Sequence, residues 1–130
     1  MKKKTLFIII VVLLVLGAAG AGFMVILSQE RSRVEEFEYS LIDMQNVADG
    51  IFEGEASTLM VSVAVSVEVF DNAIASIRIL QHDNGFGGRA EAIIYDMVAL
   101  NSHNVDAVSG ATISSEVIRQ AVYQALRKGL

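Results

Sequence analysis

Apolar and polar positions alternate with different periods along the chain. Leu6 to Leu27 is an unbroken run of about 22 residues without a charge. At ~1.5 Å per residue, such a helix spans the ~30 Å hydrocarbon core of a bilayer. From Ser28 to Ala48 the period becomes helical, with Val34, Phe37, Leu41, Met44 and Ala48 spaced three to four apart among acids. Period two then takes over: Val61, Val63, Val65, Val67 and Val69 alternate with Ser62, Ala64, Ser66 and Glu68, which predicts a strand. Phe70-Asp71-Asn72-Ala73 reads as a turn, and Ile74 to Leu80 as a second strand pairing back as a hairpin. Helical spacing returns twice, at Ala90, Ile93, Ile94, Met97 and Val98 and at Val117, Ile118, Ala121, Val122, Ala125 and Leu126.

These elements predict an α+β domain. A small antiparallel sheet (Ile51–Ala56, Met60–Val69, Ile74–Leu80 and Val105–Val108) is covered by two helices, Arg89–Ala99 and Ser114–Lys128. The organisation expected is an N-terminal transmembrane anchor at 1–28, a helical stalk at 29–48 and a folded domain at 49–130. Asp49-Gly50 opens the domain with a turn signal. The stalk stripe is too short for a coiled coil; a weak homodimer seam is the alternative to packing on the domain.

A cleaved signal peptide competes with the anchor reading, favoured by the small residues Ala18 to Gly22. The apolar run exceeds a signal core of ~7–15 residues, which favours an uncleaved anchor. Lys2, Lys3 and Lys4 precede it, so the N-terminus is expected inside and the domain outside the cytoplasmic membrane.

Charge and composition narrow the function. All 15 acids lie beyond residue 28, with 7 of the 10 bases, a net of −8 for that part. Nucleic acid rewards clustered Lys and Arg, so it is an unsuitable partner. There is no cysteine, which excludes disulfides and cysteine-ligated iron–sulfur clusters. Redox chemistry would need an added cofactor. His82 and His103 lack the partners of a metal site, and His103 is expected to be solvent-exposed.

Two stretches are candidates for chemistry. Gln81 to Arg89 is a glycine-rich loop, and Gly85-Phe86-Gly87-Gly88-Arg89-Ala90 satisfies G-x-G-x-x-A literally. A preceding hairpin and a short chain leave no room for the doubly wound sheet that this fingerprint needs. Arg89 is a natural counter-charge for a phosphate, or else a surface ion pair. The second stretch is Asp106-Ala107-Val108-Ser109-Gly110-Ala111-Thr112, leading into the last helix, with Ser114 as the expected N-cap. Taken as residues alone, it is a turn and a capped helix. A hydroxyl beside a helix N-terminus is nevertheless well placed to carry a phosphate.

That stretch resembles the flavinylation motif of the FMN-binding domain family, D-x-x-S/T-G-A-T, at Asp106, Ser109, Gly110, Ala111 and Thr112. The family includes the flavin-carrying G and C subunits of the Rnf and sodium-pumping NADH:quinone oxidoreductase complexes. Asp49-Gly50-Ile51-Phe52-Glu53-Gly54-Glu55 resembles the start of its small members, and His82, Gly87 and Arg89 resemble their flavin-contacting loop. A Thr-Pro-Gly version of that loop, carried by other members, is lacking here. The resemblance implies FMN held covalently by a phosphoester to Thr112, with Asp106 and the Ser109–Ala111 turn as recognition elements. It implies a magnesium-dependent flavin transferase that uses FAD and releases AMP, and membrane redox partners or a quinone-linked dehydrogenase. The role implied is electron carrier in a redox complex rather than stand-alone enzyme. The alternatives are a non-flavin membrane-tethered adaptor and an extracytoplasmic reductase component with its own substrate.

Overall fold

The computed structural model describes residues 2–35, 37, 40–83 and 87–130. In order they form helix α1 (Lys3–Glu35), a 3₁₀ turn (Met44–Asn46), strands β1 (Gly50–Ser57), β2 (Ser62–Phe70) and β3 (Ala73–Asp83), a 3₁₀ segment (Gly88–Ala92), and helices α2 (Ile93–Leu100) and α3 (Thr112–Arg127). The strands make one antiparallel sheet in the order β1-β2-β3. Helix α3 packs on β1 and β2, and α2 on β3.

The valine alternation of β2 sets the core. Val63, Val65, Val67 and Val69 are buried beneath α3, which contributes Val117, Ile118, Ala121, Val122, Ala125 and Leu126. Ile51, Glu53, Glu55, Glu68 and Arg78 remain exposed on the strands. Asp71 and Asn72 both adopt positive φ, 50° and 60°, the backbone of the tight two-residue hairpin turns. Their helical counterpart is Asn101, left-handed at the C-terminus of α2. Its side chain accepts from Ile74 N at 2.8 Å and donates to Asn72 O at 3.1 Å, tying α2 to the hairpin.

Strand β3 departs from simple alternation. Val69 pairs with Ile74 while Glu68 pairs with Ser76, leaving Ala75 as an extra residue. Val65 pairs with Ile79 while Ala64 pairs with Gln81, leaving Leu80 as another. Each bulge inverts the phase, so Ile74, Ile77, Ile79 and His82 are the more buried positions.

Helix α3 approaches β1 closely at Gly54. A Cβ there would stand 2.0 Å from Ala121 O and 2.5 Å from Ala125 N, so only glycine admits α3 at this depth.

The fourth strand expected at Val105–Val108 does not form; residues 104–108 have no regular pairing. Val105 is buried and Val108 half-buried, which explains the strand-like apolar signal. Their backbone groups are satisfied elsewhere: Val105 N donates to His103 O, and Val108 N to Ser115 Oγ. The helix expected at Arg89–Ala99 divides into the 3₁₀ segment and α2. Within the expected stalk, α-helix continues through Glu35, and Met44–Asn46 is 3₁₀. Met44 and Val47 are buried there, whereas Leu41 and Ala48 of the expected stripe are exposed. The stalk acids Glu36 and Glu38 lie outside the described residues.

Helix α1 holds the long apolar run and is long and apolar enough to cross a membrane. Its side chains from Leu6 to Ile26 are exposed, as a lipid-facing surface would be.

Candidate cofactor site

The turn before α3 is built by one buried hydroxyl. Ser115 is fully buried, and its Oγ accepts from Val108 N at 2.9 Å and donates to Ala111 O at 2.7 Å. Ala111 N in turn donates to Val108 O at 3.0 Å, which closes the turn through Ser109 and Gly110. Gly110 sits at φ +78°, a conformation that L side chains rarely adopt. The motif's glycine is therefore required by the backbone alone.

Helix α3 begins at Thr112, two positions earlier than expected, and Ser114 is not its N-cap. Ser114 is buried within the first turn, and the N-cap position is Ala111, which makes no side-chain cap. Among the described residues no N-cap side chain covers the first-turn N–H groups, which are the groups an anion would meet there. Thr112 is exposed at the first helical position, as are Asp106, Ser109 and Gly110 before it. Of the hydroxyls around the turn, Ser114 and Ser115 face inward, and Ser109 and Thr112 face solvent.

The glycine-rich segment approaches the same turn. Arg89 is exposed in the 3₁₀ segment, and its Nη1 lies 3.6 Å from where a Cβ on Gly110 would stand. The guanidinium therefore reaches the backbone of the Ser109–Ala111 turn across the space between two segments. Gly87 holds the N-terminal end of the 3₁₀ segment, with its carbonyl accepting from Ala90 N at 3.0 Å. The expected residues Asn84, Gly85 and Phe86 of this loop lie outside the described residues.

His82 is carried inward by the Leu80 bulge. Its side chain is 2% exposed, with Nδ1 3.0 Å from Glu91 Oε1. The histidine thus braces the end of β3 against the 3₁₀ segment that bears Arg89. Beside it runs an open groove of about 500 Å³, lined by Ile77, Ile79, Arg89, Ile94 and Tyr95 among others. Tyr95 leaves 73% of its surface exposed at this groove. Arg78 and Glu91 line it as well, so isoleucines and an exposed aromatic ring stand beside charged groups, a mixture that suits a flat heteroaromatic group with a phosphate tail.

His103 corrects the sequence reading. It is 1% exposed, with its ring centroid 5.1 Å from that of Tyr123 at 43°. The Tyr123 hydroxyl is 3.3 Å from Ser40 Oγ, so both rings lie under the chain that follows α1. Burial first, then the Arg119 charge, lowers the His103 pKa; a hydrogen bond to the Ser40 backbone opposes them. Arg119 pairs with Glu116 at 2.8 Å and also bonds Asn104 Oδ1. This cluster is a packing joint apart from the motif. The Arg127 guanidinium lies 5.7 Å from the Tyr123 ring centroid, and the covering segment lies 83 positions away from Tyr123.

A three-stranded antiparallel sheet packed against two helices, with Arg89 reaching the turn before α3, makes a small α+β domain. The family model for the FMN-binding domain matches residues 59–127, more than half of the chain, and the chain belongs to that family. A comparison with curated proteins gives no match. The residues present fit the cofactor: the open first turn of α3 and Arg89 suit its phosphate, and the Ile77–Tyr95 groove suits its ring.

Proposed function

We propose that the protein is a membrane-anchored electron-transfer flavoprotein that carries FMN through a phosphoester to Thr112. The observation that carries the reading is the inequality among hydroxyls around the motif. Ser114 and Ser115 are buried, and Ser115 already makes two hydrogen bonds that shape the turn. Ser109 and Thr112 are accessible, and only Thr112 stands on the helix whose first-turn N–H groups face an incoming phosphate.

Attachment is a phosphoryl-group transfer by a separate flavin transferase. Thr112 Oγ bonds to the flavin-side phosphorus of FAD, the bridging P–O bond breaks, AMP leaves, and the hydroxyl proton passes to a base of the transferase. This chain is the substrate, and Asp106 with the Ser109–Ala111 turn is what the transferase reads. Bound FMN supplies one- and two-electron redox chemistry. Arg89 would offset phosphate charge near Gly110, His82 and Glu91 hold the Arg89 segment against β3, and the groove would receive the ring. A covalent link also makes retention independent of free flavin, which matters where the cofactor would diffuse away. In this reading α1 anchors the domain outside the cytoplasmic membrane, oriented by Lys2, Lys3 and Lys4, and electrons pass to membrane redox partners.

The test is intact mass after co-expression with a flavin transferase. Wild type should gain one FMN-phosphoryl group, and Thr112→Ala should gain none while keeping its fold, since Thr112 is exposed and caps nothing. Covalent flavin at wild-type stoichiometry in Thr112→Ala would overturn the assignment.

A further inference from the structure

The end of the domain nearest α1 carries an apolar turn with no cover in the fold. Between β1 and β2, Leu59 leaves 54% of its surface exposed and Met60 49%. Leu59 lines a cleft with Ser28, Gln29, Ser32 and Arg33 of α1. Those residues begin immediately after the apolar run ends at Leu27. At ~1.5 Å rise per residue they lie within about 9 Å of its end. A bilayer's interfacial layer is roughly 5–8 Å thick on each side of the hydrocarbon. The turn therefore stands at headgroup depth when α1 spans.

The packing of α1 agrees. Leu27 and Val34 are half-buried and Glu30 is fully buried, three positions on one helix face. Helix α1 contacts α3, and burial on this face reaches down to Leu27, the last residue of the apolar run, so the domain is seated near the membrane rather than held away on a spacer.

We infer that the Thr58–Met60 turn is a second membrane contact, a foot whose Leu59 and Met60 enter the lipid interface beside α1. The occupant is the boundary between headgroups and acyl chains, where apolar side chains gain from burial and flanking polar groups stay wet. The inference rests on the anchor reading given above. It has a consequence for the motif. Gly54 meets Ala121 and Ala125, whereas Phe52 meets Gly129, so α3 runs towards its N-terminus as β1 runs towards the turn. From these contacts Thr112 lies ~14 Å beyond Ala121, and Ser57 ~10 Å beyond Gly54, which brings both to the same end. Asp83, at the end of β3, pairs with Ser62 at that end too. The foot therefore holds the motif end of the domain towards the bilayer.

The chain contains no tryptophan, so single replacements report depth directly. The full chain is reconstituted in phosphatidylcholine vesicles with and without brominated acyl chains, as Val15→Trp, Leu59→Trp or Phe70→Trp. Phe70, 67% exposed, lies at the opposite end of the hairpin. Val15→Trp and Leu59→Trp should be blue-shifted and quenched by bromine, at least about threefold more strongly than Phe70→Trp. Quenching of Val15→Trp alone would overturn the foot and leave the anchor standing. Quenching of neither would overturn both. A blue-shifted Leu59→Trp that bromine does not quench would mean that protein covers the turn, and would overturn the lipid assignment. Met60→Cys carrying a nitroxide gives a second reading: greater accessibility to oxygen than to a water-soluble nickel complex is expected, and the reverse would overturn the inference.

Discussion

Thr112 and Ser115 sit on the same first turn of α3, yet one faces solvent and the other is sealed beneath the motif. Position in the motif was legible in the sequence, because Asp106, Ser109, Gly110, Ala111 and Thr112 fall within seven consecutive residues. Which serine shapes the turn was not, since Ser114 and Ser115 are equally good capping residues on paper. The helix starting at Thr112 decides it, by rotating Ser115 under Val108 and Ala111. His103 was illegible for a different reason: it packs on Tyr123 and meets Ser40, both distant in sequence. Its lowered pKa gives a prediction with a definite sign. Because the folded state resists protonating His103, its contribution to stability is complete above the ordinary value of 6.5. As pH falls below that value the unfolded chain takes up the proton first, and stability declines until the lower folded pKa is reached. The limiting slope is about 1.4 kcal/mol per pH unit. Urea unfolding of wild type against His103→Phe between pH 8 and 5 checks it. The variant should lack this component of the slope, and parallel profiles would remove His103 from the account.

At the scale of elements, β2 was readable from its valines because both neighbours keep it in strict alternation. Strand β3 was readable as a strand but not in phase, since two bulges each move the inward set by one residue. His82 gains its place on the buried side only through the second bulge. The segment Val105–Val108 imitates a strand because two valines turn inward from an irregular chain whose backbone bonds are made by Ser115 and His103. The depth of α3 over β1 was equally hidden, although Gly54 marks it. A methyl group there would meet backbone atoms at 2.0 and 2.5 Å, which no rotamer change relieves. Gly54→Ala should therefore push α3 outward and cost about 2–3 kcal/mol, at the upper end of ordinary overpacking. Thermal unfolding measures this, and an unchanged midpoint would show that helix and strand are less closely held. Because α3 carries Thr112, the flavin attachment proposed there should fall in the same variant, whereas Ile51→Ala on the exposed side of β1 should change neither.

At the scale of the molecule, the junction between α1 and the domain contains a buried acid. Glu30 is 0% exposed, and neither carboxylate oxygen has a hydrogen-bond partner among the described residues. It lies between half-buried Leu27 and Val34 on the face of α1 that meets the domain. Removing an unpaired polar group from water is unfavourable, and for a charge it is more so. An apolar side chain of similar volume would keep the packing and avoid the penalty. Glu30→Met should consequently strengthen the junction, by about 1–3 kcal/mol on the scale of an unsatisfied buried polar group. Glu30→Ala should gain less, because it leaves a cavity in exchange for the lost carboxyl group. Thermal unfolding of the full chain in detergent, compared with variants of exposed Arg31, separates these effects. If Glu30→Met lowers the midpoint instead, the carboxylate has a partner in the assembled protein. The junction would then be completed by a group from another chain or from the membrane surface, and Glu30 would be part of how the domain is held there.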